Sequence, residues 1–221
     1  NQIPGRAVQL EARPAEGWTN LPESKRPPLE FDIVVPPTYV EGYPMHVLMY
    51  ASTDAGYDRM LISESKDAAQ AITDITHGEL GPWITKNFKA RDYERDGRFR
   101  FQILQLTPDG KNFKLYQSAI NMAEPYSVPS SLSKEVEAVA GTYMEVDDPW
   151  AFMDGWMAPE LYLDQLQMHA NWWGNATKYV LEHQQWDMAF SWVGTIDHIE
   201  HVLYAGIEPK ARVYDPDKAD F

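Results

Sequence analysis

From residue 30 to about residue 121, apolar and polar side chains alternate with the period of half-buried strands. Phe31-Asp32-Ile33-Val34-Val35 runs into Pro36-Pro37, which lack the amide donors a central ladder needs. Met45-His46-Val47-Leu48-Met49-Tyr50 and Tyr57-Asp58-Arg59-Met60-Leu61-Ile62 flank the turn-like Ser52-Thr53-Asp54-Ala55-Gly56. Two further alternating runs, Phe99-Arg100-Phe101-Gln102-Ile103 and Phe113-Lys114-Leu115-Tyr116, enclose Thr107-Pro108-Asp109-Gly110-Lys111. A Pro-Asp-Gly turn between strands predicts a β-hairpin. Residues 30–125 therefore read as an antiparallel β-rich region with few helices. Residues 1–29 read as an irregular lead-in. Within it Ala7-Val8-Gln9-Leu10-Glu11 alternates as a short strand would, and residues 14–28 are rich in Pro, Gly and charge.

After Pro125 the spacing changes. Ser130-Ser131 opens a short helix that runs through Lys134, Val136 and Val139 to a stop at Gly141. A longer helix is predicted over 159–184, with Pro159 in its first turn, where an amide would be unpaired anyway. Tyr162, Leu166, His169, Trp173, Ala176 and Val180 recur at steps of four and three and share one face. Met188-Ala189-Phe190-Ser191-Trp192-Val193 is short and nearly all apolar, and Gly194 ends it. That combination predicts a strand buried on both faces, as in a parallel sheet. Helix followed by buried strand is half of an α/β crossover, and ligands in such folds sit beyond the carboxyl ends of the strands. Residues 126–221 thus read as an α/β segment.

Composition narrows the function classes. The chain has 221 residues, 44% hydrophobic and 24% charged, an ordinary globular balance. The absence of cysteine excludes disulfides, thiolate zinc sites and cysteine nucleophiles. Nineteen basic against 33 acidic residues leave a formal charge of −14, which repels a nucleic acid backbone. No apolar stretch approaches the roughly 20 residues of a helical membrane span.

The residues just past the expected strand are Gly194-Thr195-Ile196-Asp197-His198-Ile199-Glu200-His201, where an α/β sheet would place a site. Asp197 and His201 are four apart and project from one face of a helical turn. A carboxylate and a neutral imidazole suit zinc or a similar divalent ion. No other histidine in the chain has an Asp four residues before it. A solvated i,i+4 ion pair would have the same spacing.

The run Trp186-Asp187-Met188-Ala189-Phe190-Ser191-Trp192, followed by Ile196-Asp197-His198-Ile199-Glu200-His201, resembles the type I phosphodiesterase and nucleotide pyrophosphatase family of the alkaline phosphatase superfamily. Ile207-Glu208-Pro209 and Val213-Tyr214-Asp215-Pro216-Asp217-Lys218-Ala219-Asp220 look like its bacterial members, where a Trp-Asp-apolar strand leads into Asp-x-x-x-His. The resemblance is specific over 185–221. It is looser over 1–184, where Gly17-Trp18, Tyr57-Asp58, Gly78-Glu79 and Leu115-Tyr116 resemble the inserted β region of those enzymes. It implies an α+β chain: an antiparallel β-rich insertion, then helix–strand–helix elements of an alkaline-phosphatase-like α/β core. It also implies two divalent metals, usually zinc, flanking a threonine nucleophile, with Asp197 and His201 on one ion. His198 would stand beside these ligands or face solvent. The substrate would be a small phosphate or phosphonate ester, and the insertion would shape its choice at the active-site mouth.

The departures carry an expectation of their own. The family's early Asp, its Thr nucleophile at a helix start, its Asp-His-Gly and its further His have no counterparts here; Asp197-His198 is followed by Ile199. The chain, which begins Asn1-Gln2-Ile3-Pro4, is therefore expected to be an internal piece of a larger enzyme, binding metal weakly and catalysing nothing alone. The rival reading is a non-catalytic binding module whose β-rich unit recognises a partner or glycan. His169 and His183, near the apolar face of the long helix, read as structural histidines with a ligand role as the alternative. Six of the eight tryptophans lie between Trp150 and Trp192, as aromatic packing or as a sugar platform. Asn175-Ala176-Thr177 fits a glycosylation sequon but falls inside the long helix.

Overall fold

A computed structural model of the chain describes residues 7–35, 43–89, 94–123, 125–144, 147–210 and 212. It divides into two compact units, Asn1–Ile120 and Asn121–Phe221.

In the first unit, strands β1 (Arg13–Pro14), β2 (Leu29–Val35), β3 (Tyr43–Tyr50), β4 (Arg59–Ser63) and β5 (Thr73–Thr76) form one antiparallel sheet in chain order. Two hairpins follow, β6 (Ile84–Lys89) with β7 (Glu94–Phe99) and β8 (Phe101–Leu106) with β9 (Phe113–Gln117). The expected turn closes the second hairpin. The Gly110 amide donates to Thr107 O at 2.8 Å, and Gly110 takes φ +72°, which favours glycine.

Phe31, Val47, Met49, Met60, Ile62 and Ile75 on one sheet face meet Phe99, Phe101 and Ile103 of the hairpins in the main core. The opposite face is buried too. Leu48, Tyr50 and Leu61 lie under Ala15 and Trp18 of the lead-in and under Ala68 and Ala71. Residues 13–28 of the lead-in thus cover the sheet, which accounts for their largely irregular course. The strand expected over residues 7–11 is absent, and pairing begins at Arg13–Pro14.

Among its described residues the second unit carries four helices: α1 (Ser131–Ala140), α2 (Pro149–Met153), α3 (Pro159–His183) and α4 (Thr195–Ile207). Gly141 ends α1 at φ +80°, and Pro159 opens α3, both as the sequence requires. Tyr162, Leu166, His169 and Ala176 of the expected α3 face are buried. Val136 of α1 packs with Trp172 and Ala176 of α3, and the Trp172 indole donates to Gly141 O at 3.0 Å.

One element differs from expectation. Residues 188–193 form no strand; they lie in no regular element and are exposed, Phe190 to 92%. A strand buried on both faces needs ladder partners at its edges and layers above and below. Among the described residues this run has no ladder partner. Its attachments are side-chain contacts: Thr177 and Ser191 share a hydrogen bond of 2.8 Å, and the Trp186 indole donates to Leu181 O at 3.1 Å. Overall the chain is mixed α and β, with antiparallel sheets.

Candidate functional site

Two short connections bring the candidate residues together in the second unit. The first precedes α2. The Asp148 side chain accepts from the Ala151 amide at 3.0 Å and caps the helix, with Pro149 as its first residue. The Asp148 amide donates to Gln165 Oε1 of α3 at 3.0 Å. These two bonds fix the backbone at Asp147, whose carboxylate is fully buried. The second connection is the exposed run 187–193, which delivers the chain to α4.

Asp147 is shared between two elements. Its Oδ2 accepts from the Tyr162 hydroxyl of α3 at 2.7 Å, and its Oδ1 accepts from His198 Nδ1 of α4 at 2.5 Å. Burial, and then this hydrogen bond to an anion, push the Tyr162 hydroxyl well above its ordinary pKa of 10.0. Beside this pair, His169 of α3 lies with its ring parallel to that of His198, centroids 6.1 Å apart. The Trp173 indole donates to His169 Nε2 at 2.9 Å, and His169 Nδ1 lies 3.3 Å from Thr195 Oγ1. An indole can only donate, so His169 Nε2 carries no proton and Nδ1 is the donor to Thr195. Trp192 meets the His198 ring edge-on at 6.4 Å. His169 is therefore a hydrogen-bonded structural residue. His183, whose Nδ1 lies 3.0 Å from Tyr179 O, is exposed at the end of α3.

Asp197 and His201 occupy a different face of α4. Their Oδ1 and Nε2 atoms are 3.4 Å apart, and the side chains are 57% and 76% exposed. That distance exceeds the usual hydrogen-bond range of about 2.7–3.2 Å. It is the separation of an exposed i,i+4 ion pair, and two ligands on one zinc would be spaced alike: bonds of roughly 2.0–2.1 Å at a tetrahedral angle separate donor atoms by about 3.4 Å. The donor set, one carboxylate and one imidazole, also fits a divalent ion. Among the described residues no group of three or more His, Asp or Glu side chains is disposed to hold a metal. His198 points away from this pair, toward Asp147, and is partly buried.

Asp147 was missed by the sequence reading. The signal available was Asp147-Asp148-Pro149, an N-cap residue before a helix-opening proline, which marks the start of α2 and so the fixed backbone beside it. The residues 213–220 that carry part of the family resemblance lie outside the described residues. No family model matches this chain, nor does any curated protein or solved structure.

Proposed function

We propose that this chain is a segment of a metal-dependent phosphoric ester hydrolase, of the phosphodiesterase or phosphatase type, whose threonine nucleophile lies outside it. The observation that carries the reading is the 3.4 Å convergence of Asp197 Oδ1 and His201 Nε2 on an open face of α4. The run before α4 supports it. Trp186, Met188, Phe190 and Trp192 are exposed and spaced by two, the pattern of a strand awaiting neighbours. In this reading residues 187–193 join a sheet built with other parts of the enzyme, and α4 continues from its carboxyl end as in an alkaline-phosphatase-like core.

Asp197 and His201 would hold one of two divalent ions, zinc suiting their carboxylate and imidazole donors. Such an ion, when bound, neutralises charge on a phosphoryl oxygen and favours ionisation of a nucleophile. The chain's own part is to present a carboxylate and an imidazole from a helix that Asp147 and His169 anchor. Two ligands leave most of a metal's coordination shell to water, so affinity is low and catalysis absent.

Calorimetric titration with zinc tests the assignment. Weak binding is expected, abolished by Asp197→Asn or His201→Ala. The chain should not hydrolyse an activated phosphodiester with zinc or manganese, whereas a longer chain supplying the threonine should. Zinc binding unaffected by both substitutions, or hydrolysis by this chain alone, would overturn the reading.

A further inference from the structure

We propose that Asp147, acting through His198, is a positioning residue that sets the rotation of α4 and so aims Asp197 and His201; this rests on the metal reading above. Helix α4 meets buried hydrogen-bonding partners at two points near its start. Thr195 contacts His169 at 3.3 Å, and His198 donates to Asp147 at 2.5 Å. The two anchors are three residues apart and share one face. At about 100° per residue, the centre of the Thr195–His198 face lies roughly 110° around the axis from that of Asp197 and His201. Two fixed points on one face stop the helix from rolling, and the ligand pair is held outward.

The anchor is itself fixed. Asp147 has no exposed side-chain surface, Tyr162 occupies its second oxygen at 2.7 Å, and the adjoining residue Asp148 is locked by the α2 cap and by Gln165. The anchors come from both the segment before α2 and the long helix α3, so α4 is tied to two elements. His198 lies next to Asp197 in the chain, so a slackened His198 transmits directly to the ligand. Without the clamp, apolar contacts alone would set the helix rotation, and such contacts are non-directional.

Manganese ion alone, added to this chain, is a suitable probe, read as paramagnetic broadening of the His201 ring resonances. Wild type should broaden at millimolar manganese, and Asp197→Asn should not. His198→Ala should raise the apparent dissociation constant about tenfold, as loss of a group that orients a ligand does. His198→Asn, which restores an N–H where Nδ1 stood, should recover most of that loss. His198→Gln, which places its amide near the Nε2 position, should recover less, and this comparison decides the matter where His198→Ala does not fold. Equal affinities for the Asn and Gln variants, or wild-type affinity for the Ala variant, would overturn the clamp while leaving the metal assignment standing. Broadening that is absent from wild type, or unchanged in Asp197→Asn, would overturn both.

Discussion

The carboxylate of Asp147 and the imidazole of His198, 51 residues apart in sequence, meet at 2.5 Å in the second unit. Asp147 is fully buried there, with the Tyr162 hydroxyl as its other donor at 2.7 Å. Deleting one partner of a buried carboxylate leaves an acceptor short of a donor. His198→Ala is therefore expected to lower stability by about 2–3 kcal/mol, and Tyr162→Phe by about 1–2 kcal/mol. Urea unfolding followed by tryptophan fluorescence measures both. A loss under about 0.5 kcal/mol for His198→Ala would show that the contact is not made in solution.

His169 offers a sharper test, because its neighbours dictate where its proton sits. Trp173 donates to Nε2, so the ring must be neutral and protonated at Nδ1. Free histidine favours the opposite tautomer. Nitrogen-15 spectra that correlate the ring nitrogens with its carbon-bound protons should show the Nδ1–H form. Trp173→Phe removes the donor and should let the Nε2–H form return. Finding Nε2–H in the wild-type protein would contradict the arrangement around Thr195 as well.

Local rules reached the elements that depend on local physics. The Pro-Asp-Gly hairpin, the glycine stop of α1 and the buried face of α3 are set by turn chemistry and by spacing within one element. Residues 188–193 failed because an apolar run states only that burial is favourable, not that a partner is present. Asp197 and His201 were legible from their four-residue spacing. Asp147 was not, since its role depends on a histidine 51 residues away. The sheet cover formed by Ala15 and Trp18 was hidden for the same reason: tertiary contacts, not periodicity, order the lead-in.

In the first unit, Glu30 gives a pH dependence whose sign is fixed. Its side chain accepts from Arg13 at 3.0 Å, Trp18 at 2.7 Å and Lys66 at 2.8 Å. Burial works to raise its pKa, yet the bonds from Lys66, Trp18 and Arg13 outweigh burial and hold it below the ordinary 4.5. The folded state thus binds fewer protons than the unfolded one. Its contribution is complete above pH 4.5 and declines as pH falls through the lowered folded value. Glu30→Gln should destabilise at neutral pH and flatten the fall in stability between about pH 5 and pH 3. Denaturant midpoints across that range measure it, and an unchanged slope would rule Glu30 out.

Two glycines of the same unit should respond differently to alanine. Gly56 has φ +135°, and an added Cβ would stand 2.5 Å from Pro108 O, part of the backbone that the Tyr57 amide meets at 3.2 Å. Strain and a clash with main chain combine there, so Gly56→Ala should cost about 3 kcal/mol. Gly78 has φ +86° but nothing within 4 Å of the added atom. Gly78→Ala should cost only the conformational term, about 1 kcal/mol. Thermal unfolding of the two variants compares them directly, and equal losses would mean that the contact with Pro108 is relieved by movement.

The apolar row before α4 makes a prediction in which stability and solubility separate. Met188 and Phe190 are 72% and 92% exposed, flanked by exposed Trp186 and Trp192. Side chains already in water add little to folding, so replacing both Met188 and Phe190 with Ser should leave the urea midpoint within about 0.5 kcal/mol of wild type. The same change removes two of the chain's most exposed large apolar side chains, the kind that promotes association. Binding of a hydrophobic fluorescent dye should fall, and so should concentration-dependent sedimentation. Thr177 and Ser191 keep their hydrogen bond in this variant, so the course of the segment is retained. A destabilisation above about 1 kcal/mol would instead mean that Met188 and Phe190 are packed in the folded protein. Their burial would then come from within this chain, without neighbours from elsewhere.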